Sequence, residues 1–416
     1  MNKRRRTSSP FRLLLLVVLV GAALYVNQVV VPATPPLFVP TKTPTRAPES
    51  YIVEAESLAN QGKLNQAIQA YKAAILASPK NAANYIAIAR LQVFTADYDG
   101  ALENIQNALV LNSNNSTAHA VKGWILGFKD EFLPASASIK TALELDPKNP
   151  LAYAYQAEIY ARQVDAGKGD LGTTDKAAEA SRKAKEYGPN LLESYRARGI
   201  VLEMTSNYRE AAKEFEAAIK LNENIADLHL ALGRNYRVLE QYDKAIEEFN
   251  RANALNPMDP MANLYISRTY ASVGEFAKAI QYGQQAIKVN PKDPFLYGNL
   301  GVLYYRNRAY ADAIPPLKLA VRGGLAENNV EVKGLPLDYG RVAEFYTTYA
   351  LALARTGACG DALQLSQVIQ QGVKDDEIAV YNAQEVIRVC QGVASGRTVT
   401  PAAPNAARTP TPTARK

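Results

Sequence analysis

The sequence predicts an all-α protein, a right-handed α-solenoid of stacked helical hairpins, and three periodic observations predict it. The first is an alanine ladder. Ala67, Ala101 and Ala135 are 34 residues apart, Ala177 comes after 42, Ala211, Ala245, Ala279 and Ala313 resume the step of 34, and Ala362 comes after 49. The second is a fixed register downstream of each rung. Seven residues on there is another alanine (Ala74, Ala108, Ala142, Ala184, Ala218, Ala252, Ala286, Ala320), and four residues on there is usually a larger apolar residue, as at Tyr71, Ile105, Ile139, Phe215, Phe249 and Leu317. Spacings of four and seven share one face of a helix. The third is punctuation: Pro79, Pro147, Pro189, Pro257 and Pro291 stand twelve residues after their rungs, in segments such as LDPKN, LNPMD and VNPKD, and end that helix.

Upstream of each rung lies a second amphipathic segment, for example HLALGRNYRVLEQYDKA, in which small residues recur at Ala89, Gly123, Ala157, Gly199, Gly233, Ser267, Gly301 and Ala350. Small residues on both helices let two backbones approach closely, so each unit is a hairpin that stacks on the next. The pattern resembles the tetratricopeptide repeat family. Its signature is nearly complete in the unit with Leu232, Gly233, Tyr236, Ala245, Phe249, Ala252 and Pro257, and close to it in the unit with Tyr297, Leu300, Gly301, Tyr304, Ala313 and Ala320. The resemblance covers residues 51–394 as eight repeats, a weaker ninth around Ala362, and a capping helix near Asp375 to Gln391. Ser113 and Glu223 stand where proline is expected, and Ser181 and Gly283 where a large apolar residue is expected.

The ends differ from the array. Lys3, Arg4, Arg5 and Arg6 lie in a short basic segment, residues 1–10, and residues 11–31 form an almost continuous apolar run. As a helix this run rises about 31 Å, the thickness of a bilayer's hydrocarbon core. The basic residues hold the N-terminus in the cytoplasm, so the expectation is a single-pass signal-anchor of the bacterial type with the array on the far side of the membrane. A cleaved signal peptide, with small residues at Gly21, Ala22 and Ala23, is the alternative. Residues 32–50 alternate Pro and Thr and read as an extended stalk; residues 395–416, again rich in Thr and Pro, read as a disordered tail.

Composition bounds the function. The 416 residues are 48% hydrophobic and 21% charged, which excludes bulk disorder. The formal charge of +7 resembles that of a nucleic-acid binder, but the first 50 residues carry +6 and the tail +4, which leaves −3 on the array. No nucleic-acid partner is therefore expected. Two Cys and two His lack the spacing of a zinc site, and no metal or cofactor is expected. Gly167, Gly169 and Gly172 spell GKGDLG, but the phosphate-cradling form of that motif needs a preceding strand, and here it joins two helices. His119 and His229 fall where other repeats place Tyr85, Tyr195 or Tyr297, so they read as packed side chains.

The resemblance implies a non-catalytic scaffold that binds protein or peptide partners on a concave face lined by the first helix of each hairpin. That face should carry Arg90, Trp124, Tyr155, Arg234, Arg237, Arg268, Asn299, Tyr305 and Arg306. Arginine beside tyrosine suits an acidic segment or a C-terminal carboxylate. Glu158, Glu193, Glu203 and Asp227 lie nearby, and a solvated mixed-charge face is the other reading. The Lys and Asn set of the two-carboxylate clamp known in chaperone-binding members is incomplete here. An accessory subunit of an envelope polysaccharide or secretion system, or a freely secreted binder, are the alternative functions. In such a stack Cys359 and Cys390 become neighbours, and an oxidising location favours a disulfide over two free buried thiols. Two insertions break the period: eight residues within Val164 to Asp175, and fifteen around Gly323 to Gly340, the latter either a partner contact or a tolerated loop.

Overall fold

A computed structural model describes residues 10–30, 46–327 and 329–394. The basic segment before Pro10, most of the stalk and the tail from Ser395 lie outside the described residues. The first element, α1 (Pro10–Tyr25), ends in a π-helical turn, Val26–Val30. From Pro10 to Val29 it is long and apolar enough to cross a membrane, with mean hydropathy 1.9, and none of it is buried.

Among the described residues nine hairpins come next, each with an inner and an outer helix. Repeat 1 is α2 (Pro48–Asn60) and α3 (Leu64–Ala77), repeat 2 is α4 (Ala82–Phe94) and α5 (Tyr98–Leu111), and repeat 3 is α6 (Ser116–Phe128) and α7 (Phe132–Leu145). Repeat 4 is α8 (Pro150–Asp165) and α9 (Thr173–Tyr187), repeat 5 is α10 (Leu192–Met204) and α11 (Tyr208–Leu221), and repeat 6 is α12 (Ala226–Val238) and α13 (Tyr242–Leu255). Repeat 7 is α14 (Pro260–Ser272) and α15 (Phe276–Val289), repeat 8 is α16 (Pro294–Arg306) and α17 (Tyr310–Arg322), and repeat 9 is α18 (Arg341–Arg355) and α19 (Cys359–Gly372). A capping helix, α20 (Glu377–Ala394), closes the stack. The first hairpin begins at Pro48, inside the stretch expected as stalk.

The proline segments set these boundaries from both sides. Pro147 lies just past the end of α7, and two residues later Asn149 accepts hydrogen bonds from the amides of Leu151 and Ala152 while Pro150 opens α8. Asp259 with Pro260 and Asp293 with Pro294 repeat the device, since proline at the first helical position loses no hydrogen bond. An aromatic or imidazole ring then pins the turn: Tyr85, Tyr153 and Tyr297 donate through their hydroxyls to the carbonyls of Pro79, Pro147 and Pro291. In two of the repeats without that proline a histidine takes the same role, His119 reaching the Ser113 carbonyl and His229 that of Glu223, each at 2.9 Å.

All nine ladder alanines are fully buried. Opposite the position four residues on, the inner helix is cut away in proportion to the residue it meets. A Cβ added at Gly233 would lie 2.5 Å from Phe249, at Gly199 2.8 Å from Phe215, at Gly301 2.4 Å from Leu317, and at Gly123 2.8 Å from Ile139. Repeat 7 reverses the pair: Gly283 faces Ser267, whose hydroxyl donates to the Ala279 carbonyl at 2.6 Å. In repeat 4, Ser181 accepts from Arg198 at 3.2 Å. The two departures from the signature are thus met by polar contacts in place of the usual apolar knob.

The insertion between α17 and α18 folds back on the array. Its short strands β1 (Gly324–Leu325) and β2 (Glu331–Val332) pair antiparallel. Val332 is buried with Tyr297 and Ala320, the Leu335 amide donates to the Ala320 carbonyl, and the Leu335 carbonyl accepts from Tyr346. Leu335 and Leu337 pack on the core of the last two repeats. Cys359 and Cys390 are joined, with Cα atoms 5.6 Å apart, and tie α19 to α20.

Two outcomes test this packing. Gly233→Ala should destabilise the array by about 1–3 kcal/mol through overpacking against Phe249, and Phe249→Leu in the same chain should restore much of it; an unchanged urea midpoint for the single variant would count against the close approach. Reduction of the disulfide, which closes a loop of 31 residues, should remove about 3 to 4 kcal/mol from the cap. Faster amide exchange confined to α19 and α20 after reduction is the expected signature, and two free thiols in denatured, unreduced protein would contradict the pairing.

Candidate binding groove

The inner helices carry the residues expected on the concave face, and the structure divides them into two halves. In repeats 2 to 5 the face has collapsed on itself. Trp124 on α6 and Tyr155 on α8 are stacked with ring centroids 4.5 Å apart and are 1% and 0% exposed. The Trp124 indole N–H donates to Glu158 at 2.7 Å. Burial pushes the Glu158 carboxyl up, and nearby Arg196 opposes that shift. The buried Arg196 guanidinium sits 3.5 Å from Glu158 and 3.1 Å from Asp227, over the rings of Trp124 and Phe94. Arg90 on α4 pairs across the interior with Glu193, the second residue of α10. Trp124 and Tyr155 therefore do not line an open groove; they fill it.

One further contact closes this first turn of the solenoid. The Asn224 side-chain amide, between α11 and α12, donates to the Asn60 carbonyl of repeat 1 at 2.8 Å. Repeats 1 and 2, Phe128 of repeat 3, and the loops and first helical turns of repeats 5 to 7 line a half-open pocket of about 1130 Å³, whose wall includes Arg90, Phe94, Glu193, Arg196 and Asp227.

Arg234 marks the boundary. It makes a two-pronged ion pair with Glu203, both bonds 2.9 Å, and so serves as a structural contact between repeats 5 and 6. Beyond it the face is rich in positive charge. Arg268 on α14 donates through Nε and Nη2 to the Asn299 side-chain oxygen at 3.3 and 3.0 Å, and Arg341, the first residue of α18, donates to the same oxygen. The Asn299 amide nitrogen donates to the Phe295 carbonyl at 2.6 Å, which aims the oxygen at the two guanidinium groups. Burial, and then the neighbouring Arg341 charge, push Arg268 down to about 10. Burial lowers Arg237 as well, and its Nε is buried without a hydrogen-bond partner among the described residues. Glu344, paired with Arg341, brings a carboxylate to this site.

The structure thus brings together Arg237, Arg268 and Asn299. It places Tyr305 elsewhere, against Tyr310 and beside Arg355, and Arg306 over the ring of Phe276. Arg341 is not among the expected groove residues, because the insertion before it breaks the 34-residue register. The signal that could have found it is the basic residue that opens the helix after that insertion.

Family models described as tetratricopeptide repeat match residues 196–260, 230–295 and 266–328, and a second such model matches 48–81. The hairpins within residues 48–81 and 196–328 are tetratricopeptide repeats. Among solved structures, a tetratricopeptide repeat protein from Parabacteroides merdae is 16% identical, with 66% of this chain and 98% of that one covered and a TM-score of 0.45. The human IFIT1 dimer with m7Gppp-AAAA is 17% identical, covering 67% and 72%, with a TM-score of 0.49, and its complex with PPP-AAAA is 18% identical, covering 65% and 71%, at 0.47. No curated protein matches the sequence. At these identities no ligand carries over.

The polar core of repeats 2 to 5 is open to a double-mutant test. Arg196→Leu leaves Glu158 buried beside Trp124 without its cation and should cost about 3–5 kcal/mol, whereas Arg196→Leu with Glu158→Leu should recover most of it. Trp124 is the sole tryptophan, so its emission during urea unfolding reads both variants; equal losses for single and double would refute the coupling.

Proposed function

We propose that the protein is a non-catalytic scaffold, tethered to a membrane by α1, that holds an acidic segment or C-terminal carboxylate of a partner protein in the open half of its concave face. The observation that carries this reading is the convergence of Arg268 and Arg341 on one neutral amide oxygen, with Arg237 nearby. The Arg268 guanidinium, half-buried and facing an amide, gains more from a carboxylate than from any neutral ligand, and its planar fork matches the two oxygens; Arg341, exposed and paired with Glu344, adds positive charge at the rim. A partner carboxylate would displace no ion pair of Arg268, whose hydrogen bonds run to Asn299.

The tether rests on the apolar run Pro10–Val29 and on Lys3, Arg4, Arg5 and Arg6 before it, which favour an N-terminus in the cytoplasm and an array beyond the membrane. The joined cysteines suit that oxidising side. Gly21, Ala22 and Ala23 support a second reading, a cleaved signal sequence and a secreted binder; N-terminal sequencing of the mature protein separates the two.

The functional test is a titration of full-length, detergent-solubilised protein with a hexaglutamate peptide. Arg268→Glu with Arg341→Glu should weaken binding by at least about 30-fold, or ~2 kcal/mol, because each reversal replaces attraction by repulsion in a partly desolvated groove. Arg306→Glu, over Phe276 and outside the cluster, should change it little. Equal affinity for the double variant and the parent would discard the site.

A further inference from the structure

We infer that repeats 2 to 5 contain a second carboxylate-binding site, masked in this structure by the chain's own Glu193. The inference rests on the reading of the open half as a binder of acidic segments, and extends it to the closed half.

Arg90, Arg234 and Arg268 occupy the same register position on the inner helices of repeats 2, 6 and 7: each is the ninth residue of its helix. Their partners differ. Arg268 meets a neutral amide, Arg234 meets Glu203 of the adjacent repeat, and Arg90 meets Glu193, which is 103 residues away and three repeats along. Repeat arrays are held by contacts between neighbours. The Arg234–Glu203 pair joins adjacent repeats and is part of that stack, whereas the Arg90–Glu193 pair spans the interior and can open without unstacking any hairpin.

The surroundings of Arg90 suit an exchangeable carboxylate. Its side chain keeps 38% exposure while that of Glu193 keeps 7%, so the guanidinium is reachable and the internal carboxylate is seated. Both line the half-open pocket, as does Arg196. Arg196 is 3% exposed, and its Nε and Nη1 are buried without hydrogen-bond partners among the described residues, because Nη2 alone makes the contacts to Glu158 and Asp227. A carboxylate entering the pocket would find the Arg90 fork once Glu193 swings away, with the buried Arg196 charge behind it. Glu193 stands in the first turn of α10, where the helix dipole favours a negative charge whether or not Arg90 is paired.

Glu193→Gln puts a neutral amide in front of Arg90, as Asn299 stands in front of Arg268. In full-length protein carrying Arg268→Glu and Arg341→Glu, addition of Glu193→Gln should raise hexaglutamate affinity at least about tenfold by calorimetry, with a change in Trp124 emission on binding, and Arg90→Ala should abolish that gain. No gain, or a gain that survives Arg90→Ala, would overturn the masked site. Glu193→Ala serves as a second unmasking variant, with circular dichroism reporting the helical fold of each. The two readings fail separately: hexaglutamate binding to the parent that ignores Arg268→Glu with Arg341→Glu removes the open site, whereas a silent Glu193→Gln removes only the masked one.

Discussion

The structure depends on one constraint, the close approach of two helix backbones inside each hairpin. It holds because one helix offers alanine at the ladder position and the other a residue trimmed to match the knob opposite. Within the hairpins glycine faces Phe215, Phe249, Leu317 and Ile139. Where the knob is lost, as at Gly283, a hydroxyl bonds to the facing backbone and keeps the distance. The hairpin turns adapt to that approach. Ala96, Asp130, Ser206, Glu240 and Arg308 take positive φ in them although a left-handed backbone costs a residue with a Cβ about 1–2 kcal/mol. The tight turn is maintained at that cost because the packing below it would otherwise be lost.

Since the stack is secured by its ladder, the inner face is free to carry charge. The first half uses that freedom to build a second, polar core of Trp124, Tyr155, Glu158 and Arg196, and the later repeats leave guanidinium groups facing Asn299. The difference arises from the partners that the array brings across its interior. Arg90 finds Glu193, and Arg196 finds Glu158 and Asp227, so their charges are matched within the chain. Arg268 finds an amide and another arginine.

The fold was legible in the sequence because its cause is periodic: a rung every 34 residues and a small residue opposite are visible without any coordinate. The groove was legible only in part. Arg237, Arg268 and Asn299 meet because contacts between adjacent repeats keep the same period. Trp124 and Tyr155 share that register but are buried by Arg196 and by a turn that brings repeat 5 over repeat 2. That closure accumulates from small rotations between repeats, and no local pattern encodes it. Arg341 lay hidden behind an insertion whose Val332 and Leu335 pack as part of the core, which composition alone did not distinguish from a tolerated loop.

The distribution of charge constrains how an acidic partner could be held. The array has a net charge of −3, with the positive excess in the two ends of the chain. At distances beyond a Debye length, about 8 Å in physiological salt, the folded body offers such a partner no attraction. The attraction has to arise inside the groove, where Arg268 is half-buried and screening is weaker than at the exposed Arg341 beside it. A site of this kind selects by contact. It rewards a carboxylate that reaches the Asn299 oxygen's two guanidinium neighbours, and gives little to a negative surface that cannot enter.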